Sequence, residues 1–280
     1  MNAIGIMQGR LSPPVGGRIQ SFPAETWREE FSRAREAGLA GLEWVYEAET
    51  ESANPLRSAR GAEQVRALAE REGTSVLSVC ADFYMVEQLT DESGRPDEAV
   101  IEHLRALLAR VRAVGGTHVV LPFVDASSLR TAARVEGTIA ALSQVSSDAD
   151  CYGVELHLET DLLPETVAEM LETLDHPSFR ANYDIGNSAA LGRDPDQEMS
   201  ILGPWLGSVH IKDRALDGRT VPLGTGAVKF EKCLRRIQEA GYERPFVLQA
   251  ARQPEISEVE LARRNRTFLE NVWSVSAAEA

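Results

Sequence analysis

Cysteine is scarce in this chain, and long apolar runs are missing. The three cysteines, Cys80, Cys151 and Cys233, are far apart and form no CxxC pair, which argues against a disulfide scaffold or a zinc finger. No apolar run reaches the roughly 20 residues that cross a bilayer, and the N-terminal MNAIGIMQGR has no extended apolar core of the signal-peptide kind. We therefore expect a cytoplasmic protein with no membrane partner.

Positive charge is also in deficit. Lys and Arg number 29 against 43 Asp and Glu, which gives a formal net charge of −14. Such a field repels phosphate backbones, so we expect no nucleic-acid partner, although a few local arginines can still hold a small anion. No GxGxxG follows the first apolar run and no P-loop pattern occurs, which disfavours the common nucleotide-binding folds.

What the chain does have is a regular alternation of short apolar runs with longer helical segments. Eight such units in 280 residues predict a single (β/α)8 TIM barrel domain over residues 1–280, with an open doubly wound sheet as the alternative. The predicted strands are 3–7, 41–45, 75–80, 118–123, 153–159, 180–185, 206–212 and 245–249. The predicted helices are about 24–37, 59–72, 97–114, 129–150, a segment from Pro164, 195–202, 228–240 and 257–272, followed by a small-residue tail.

The most informative stretch is SVHIKDR, residues 208–214. Successive side chains of a strand point to opposite faces, so Ser208, His210 and Lys212 share one face while the intervening apolar residues pack on the other. Asp184 closes the preceding apolar run, and Glu159 closes the run before that. A Glu, an Asp and a His at the carboxyl ends of successive parallel strands predict a divalent-metal site at the mouth of the barrel.

The run that ends at Glu159 carries more polar side chains than an ordinary buried strand. Alternation places Glu155, His157 and Glu159 on the face that lines the barrel. Ionised groups are costly to bury unless they pair or bind a metal. Metal ligation by Glu159 supplies one reason, and for His157 two interpretations stay open: support of a metal ligand, or an internal hydrogen-bonded pair.

Several motifs of the chain resemble those of the sugar phosphate isomerase/epimerase family, the xylose isomerase-like barrels. They are LHLET, YDIGN, SVHIKD, the opening GIMQGRLSPP and the segment at 221–248, and the resemblance is strongest over 153–248. It implies one divalent ion held by Glu159, Asp184, His210 and a fourth residue that falls on Gln249, where the family pattern has a glutamate. Three oxygen donors and one imidazole suit Mn, Co or Mg better than Zn. The resemblance also implies a possible homodimer.

Glutamine at position 249 changes the expected chemistry. Its carbonyl oxygen can bind a metal, but it cannot ionise or carry a proton. The resemblance implies epimerases that use two glutamates, and only Glu159 of that pair is present. Lys212 is the first candidate for the missing acid/base, with His157, Glu43 and Asp82 as others. The residues that we expect to bind substrate are Arg10, Glu43, His157, Arg214 and Arg252, the arginines because a guanidinium matches phosphate or carboxylate.

The predicted function is therefore a divalent-metal-dependent isomerase or epimerase that acts on a small keto-sugar or sugar phosphate through an enediolate. Two alternatives remain: a dehydratase or lyase on a polyhydroxylated keto compound, and a sugar-binding barrel without catalysis. The nuclease branch of the same fold is disfavoured by the acidic charge and by only five histidines.

Overall fold

Eight parallel strands close into a barrel in a computed structural model that describes residues 2–278. The barrel strands are β1 Ile4–Met7, β2 Gly41–Val45, β3 Ser75–Cys80, β4 His118–Phe123, β5 Glu155–Thr160, β6 Phe179–Asp184, β7 Leu206–Ile211 and β10 Phe246–Leu248. Going round the barrel, the order is β1, β2, β3, β4, β5, β6, β7, β10 and back to β1. Since β1 pairs with both β2 and β10, the doubly wound alternative is excluded and the predicted TIM barrel is confirmed.

Helices surround the barrel and connect its strands. They are α1 Glu29–Glu36, α2 Ala59–Glu72, α3 Phe83–Val86, α4 Glu98–Val114, α5 Ala132–Ser143, α6 Ser146–Tyr152, α7 Pro164–Leu174, α8 Ile185–Ala190, α9 Pro195–Leu202, α10 Phe230–Glu239 and α11 Glu258–Ala278. Capping residues explain where the best-defined helices begin and end. Asp97 caps the first amide groups of α4, and Gly115 ends that helix at φ 87°, a conformation that glycine adopts without strain.

Three helical predictions were wrong in their extent. The helix predicted from residue 24 begins at Glu29 because residues 24–28 form turns. The single helix predicted over 129–150 is two helices, since Val145 leaves the helical conformation at φ −107° and ψ 2°. The expected tail after 272 is helical to Ala278. Helices α3 and α8 were not predicted, because at four and six residues they are too short to show a helical period.

The connection after β7 folds over the mouth of the barrel. It contains a small antiparallel hairpin, β8 Asp213–Arg214 with β9 Thr220–Val221. The buried carboxylate of Asp213 accepts backbone hydrogen bonds from Gly224, Gly226 and Val228 at 2.9, 2.8 and 3.2 Å. A Cβ atom at Gly226 would lie 2.3 Å from Asp213 Oδ1, so glycine is required where the loop wraps this carboxylate. The hairpin thereby fixes Arg214 beside the mouth.

Apolar side chains on the outer faces of the strands pack under the helices. Val209 and Ile211 of β7 are fully buried there, as the alternation predicted. Trp44 packs against Phe22, Trp27 and Phe31, with ring centroids 5.5 to 6.2 Å apart, and holds α1 against β2. Removing a large side chain from such a core typically destabilises a protein by about 2–5 kcal/mol. Within residues 2–278, we find no helix with the length and apolarity of a membrane span.

Candidate metal centre and active-site cavity

A cavity of about 510 Å³ opens at the carboxyl ends of the barrel strands. This is the end at which TIM barrels carry their active sites. The polar residues that face it include Glu159, Asp184, Lys212, Arg214, Gln249, Gln20 and Asp82. The cavity thus brings together groups that are distant in the sequence but follow successive strands.

Three potential metal ligands meet beside the cavity: Glu159 and Asp184 line it, and His210 is fully buried next to them without lining it. One ligand atom each of Glu159, Asp184 and His210 lies within 4.8 Å of the other two, and all three residues are buried. Strand register explains the meeting, because Asp184 at the end of β6 is the direct partner of His210 on β7. The alternation and the strand-end positions in the sequence had predicted this cluster.

The imidazole of His210 is held between two carboxylates. Its Nε2 lies 2.7 Å from Glu43 Oε1, and its Nδ1 lies 3.5 Å from Glu159 Oε2. Glu43 is fully buried and also accepts a hydrogen bond from Ser78 Oγ at 2.6 Å. A carboxylate on the far nitrogen of a histidine keeps the near nitrogen directed at a metal. Glu43 therefore supports His210 from within the barrel, and it is not among the residues that line the cavity.

The protonation of this cluster follows from its burial and charges. Burial alone would lower the pKa of His210, but Glu43, Glu159 and Asp184 outweigh it and raise that pKa to about 9. Burial raises the pKa of Glu159, and Asp184 adds to the effect while His210 opposes it. His210 is thus a cation at pH 7, and a metal ion that bound it would have to displace a proton.

Each carboxylate of the cluster is fixed by hydrogen bonds. Glu159 accepts from Asn187 Nδ2 at 2.8 Å and from Asn182 Nδ2 at 3.2 Å. Asp184 Oδ1 caps α8 by accepting from the backbone amides of Gly186 and Asn187, at 2.9 and 2.8 Å. Its Oδ2 lies 3.2 Å from Lys212 Nζ. Both carboxylates are therefore oriented before any ligand arrives.

Gln249 stands where a fourth ligand is expected, one residue beyond β10. It is 6% exposed, and its Nε2 donates to Gln20 Oε1 at 2.8 Å. Its Oε1 is buried without a hydrogen-bond partner among the described residues. A buried acceptor of this kind is rare unless an unseen water or ion satisfies it. Together with two carboxylates and an imidazole, this carbonyl makes a donor set that fits a divalent cation.

Beneath the cavity, the barrel interior holds a polar column. His157 is fully buried, its Nε2 lies 2.9 Å from Glu155 Oε2, and its Nδ1 lies 2.8 Å from Ser208 Oγ. Arg244 pairs with Glu155 from below. Both ring nitrogens of His157 are therefore engaged inside the core, which is the internal hydrogen-bonded arrangement considered above. The structure places His157 below the cavity floor and not among its lining residues.

The three arginines expected at the mouth do not lie together. Arg214 lines the main cavity, whereas Arg10 and Arg252 line a separate cavity of about 120 Å³ beside α11. Arg252 donates to the backbone carbonyls of Gly9 and Ser12, at 2.6 and 2.8 Å, and Arg10 donates to that of Ile19. Burial, with Arg252 nearby, lowers the pKa of Arg10 to about 9. These two guanidinium groups hold the connection between β1 and α1.

Three residues of the site were not predicted from the sequence. Asn182 shares the inward face of β6 with Asp184, two residues later, so strict alternation could have identified it. Asn187 lies in the YDIGN motif and bonds Glu159, Lys212 and Arg214. Gln20 comes from an irregular connection, where no periodicity fixes the direction of a side chain.

The chain matches the family model described as the xylose isomerase-like TIM barrel over residues 31–272. Among curated proteins, it is 25% identical over 250 residues to the L-ribulose-5-phosphate 3-epimerase UlaE of Escherichia coli, a match that covers 84% of this chain and 86% of the relative. A solved L-ribulose 3-epimerase superposes with a TM-score of 0.75 at 18% identity, over 100% of this chain and 97% of that one. The relatives of this chain are thus sugar epimerases.

Two further solved structures of the same fold contain metal ions. The IOLI protein, described with a bound zinc atom, has a TM-score of 0.73 at 16% identity, over 98% of this chain and 99% of that one. A xylose isomerase-like TIM barrel protein from Mycobacterium smegmatis in complex with magnesium has a TM-score of 0.67 at 19% identity, over 98% and 97%. At these identities the likeness concerns the fold.

Proposed function

This chain belongs to the xylose isomerase-like TIM barrel family, and we propose that it is a divalent-metal-dependent epimerase of a small keto-sugar or keto-sugar phosphate. The observation that carries the proposal is the buried cluster of Glu159, Asp184 and His210, whose two carboxylates line the large cavity. The Oε1 of Gln249, which has no hydrogen-bond partner among residues 2–278, adds a carbonyl to a donor set that favours Mn, Co or Mg. When bound, such a cation supplies Lewis-acid polarisation of adjacent carbonyl and hydroxyl oxygens of a sugar.

Glu159 is the proposed base. Its carboxylate faces the cavity, and the two asparagine amides that bond it keep it directed there. It removes the proton from the carbon next to the substrate carbonyl, which leaves an enediolate of the substrate. Burial raises the pKa of Glu159 in the protein without a bound cation, and a cation held beside it would favour the ionised form that a base requires.

Lys212 is the proposed partner that returns a proton to the opposite face of the enediolate. Its ammonium group lines the same cavity, 3.2 Å from Asp184 Oδ2 and 3.4 Å from Asn187 Oδ1. A Cβ atom at Gly186 would lie 3.0 Å from Lys212 Cβ, so the glycine lets the lysine pack closely against α8. Because Gln249 cannot carry a proton, this lysine takes the role that a second carboxylate would otherwise fill.

Arg214 is the proposed anchor for a phosphate group on the substrate. It lines the cavity, and its described hydrogen-bond partners are neutral: Gly218 O at 2.7 Å and Asn187 Oδ1 at 2.8 Å. A guanidinium that is held by neutral groups in a strongly acidic protein is well suited to an anion. The name of the Escherichia coli relative specifies a ketopentose phosphate, which supports this choice of substrate class.

The test is isotope exchange. Metal-loaded protein is incubated in D₂O with ketopentoses and ketohexoses, with and without a terminal phosphate, and followed by NMR. We expect deuterium at the carbon next to the carbonyl together with a new epimer, and neither product with Glu159→Gln. Release of water with a deoxy product would instead identify a dehydratase. Binding of sugar with no exchange would identify a barrel without catalysis.

A further inference from the structure

The side-chain amide of Gln249 has two different ends, and only one of them can bind a cation. A glutamate at this position would present an oxygen in either orientation, whereas a glutamine presents either its carbonyl oxygen or its NH₂ group. The NH₂ group carries no free lone pair for a metal and its hydrogens repel a cation. Gln249 therefore needs something that sets its orientation.

A chain of hydrogen bonds runs from Gln249 to the end of β3. Gln249 Nε2 donates to Gln20 Oε1 at 2.8 Å, and Gln20 Nε2 donates to Asp82 Oδ2 at 2.7 Å. The other oxygen, Asp82 Oδ1, accepts from Cys80 Sγ at 3.3 Å. Asp82 thus accepts hydrogen bonds at both of its carboxylate oxygens.

The direction of this chain is set at Asp82. An ionised carboxylate only accepts hydrogen bonds, so the NH₂ end of Gln20 must face it. The carbonyl end of Gln20 then faces Gln249 and must receive the NH₂ end of that residue. The carbonyl oxygen of Gln249 is consequently left on the other side, where it is buried and has no partner among residues 2–278.

We infer that Asp82, acting through Gln20, orients the Gln249 amide so that its carbonyl oxygen serves as the fourth ligand of the metal site. Asp82 and Gln20 are positioning residues, and neither is assigned a proton-transfer step. The inference rests on the proposed metal site but concerns only how this chain adapts that site to glutamine. It also explains why an irregular connection contributes a polar side chain to the floor of the cavity.

The experiment is a double-mutant cycle on metal affinity. The dissociation constant for Mn²⁺ is measured by competition with a chelating dye, for Asp82→Leu in the native protein and in a Gln249→Glu background. Leucine is chosen because asparagine would keep an oxygen that accepts from Gln20. In the native background, we expect Asp82→Leu to weaken binding about 10–100-fold, the range found when a group that orients a metal ligand is removed. In the Gln249→Glu background both ends of the side chain are oxygens, so Asp82→Leu should change affinity by no more than about twofold, the scatter expected for uncoupled sites.

Two controls separate orientation from charge and from folding. Asp125→Asn removes a carboxylate that also lines the cavity but lies outside the hydrogen-bond chain, and asparagine tolerates its φ of 52°. We expect it to leave Mn²⁺ affinity nearly unchanged. Gln20→Met should weaken binding as much as Asp82→Leu, and the two together should weaken it no further. Thermal unfolding of each metal-free variant shows whether the fold is intact.

The possible results lead to different conclusions. An equal loss of affinity in the native and the Gln249→Glu backgrounds would show that Asp82 acts through its charge alone and would overturn the inference, while the metal site would stand. No loss from Asp82→Leu in the native background would overturn it in the same way. Failure of the wild-type protein to bind Mn²⁺, Co²⁺ or Mg²⁺ would overturn both the inference and the proposed function.

Discussion

Replacing Glu43 by glutamine should change how metal binding responds to pH. Glu43 is the largest cause that raises the pKa of His210, which stands at about 9 in the metal-free protein. At pH 7, a histidine with that pKa is about 99% protonated, so the proton weakens metal binding about 100-fold relative to pH above 9. In Glu43→Gln burial dominates, and the pKa of His210 returns toward or below its ordinary value.

Two effects of this substitution oppose each other. The variant loses a carboxylate that makes His210 a better ligand, which costs about 10–100-fold in metal affinity. It also loses the competing proton at pH 7. We therefore expect wild-type affinity for Mn²⁺ to rise about 50-fold from pH 7 to 9, where half of His210 is still protonated, whereas the variant stays nearly constant over that range. The difference in Mn²⁺ affinity between the wild type and Glu43→Gln should be small at pH 7 and largest at about pH 9.5.

The same pKa predicts the stability of the metal-free protein. Because the pKa of His210 is raised on folding, its contribution is fully present below pH 6.5 and is lost as the pH rises through about 9. The difference between the ordinary and the folded pKa of His210 corresponds to about 3 kcal/mol of unfolding free energy, since one pKa unit is worth about 1.4 kcal/mol. Urea unfolding over this pH range should show the loss of unfolding free energy in the wild type. The loss should be larger than any that Glu43→Gln shows over the same range. Ser78→Ala, which removes only a hydroxyl that bonds Glu43, is the matched control and should behave like the wild type.

One result of the metal-affinity experiment would refute the assigned role of Glu43. That result is a pair of parallel pH profiles of Mn²⁺ affinity for the wild type and Glu43→Gln.

Three further results are expected. Lys212→Met should let Glu159 exchange the substrate proton with solvent but slow epimer formation about 10²–10⁴-fold, the usual contribution of one acid/base group, and equal loss of exchange and epimerisation would contradict a role confined to the second face. Arg214→Met should raise KM for a phosphorylated ketose about 10–100-fold, as expected for loss of a charged hydrogen bond, and leave KM for the unphosphorylated sugar unchanged. Arg219→Met, at an exposed position on the same connection, is its control. His210→Ala should abolish the metal content measured by elemental mass spectrometry, while Gln249→Glu should bind the metal more firmly because it adds a negative charge.

Much of the fold and the centre of the site could be predicted from the sequence because both depend on periodicity. Period-two alternation placed Glu159 and His210 on the inward face, and the strand ends placed Asp184 beside them. Features that depend on irregular backbone could not be predicted in this way. Gln20 lies in a connection without a regular repeat, and nothing local in the sequence indicates that it reaches both Gln249 and Asp82.

The arginines show a second limit. Arg10, Arg214 and Arg252 all follow strand ends, which correctly suggests the mouth side of the barrel. A long side chain can nevertheless turn into the cavity or toward a neighbouring connection, and sequence position does not decide between them. Arg214 turns inward because the β8–β9 hairpin holds its Nε against Gly218 O. Arg10 and Arg252 turn toward loop carbonyls, which have no sequence signature.

Depth along a strand separates the residues that line the cavity from those that support them. Inward residues two positions apart differ in height by about 6.6 Å along the strand, roughly the thickness of one layer of side chains. On β5, Glu159 reaches the cavity while His157, one layer lower, is enclosed by Glu155 and Ser208. On β2, Glu43 is paired in register with Met7 and Ser78 and touches His210 from the barrel interior. An inward polar residue in the middle of a barrel strand is therefore better interpreted as support for a ligand, and one at the end of the strand nearest the mouth as a group that meets the substrate.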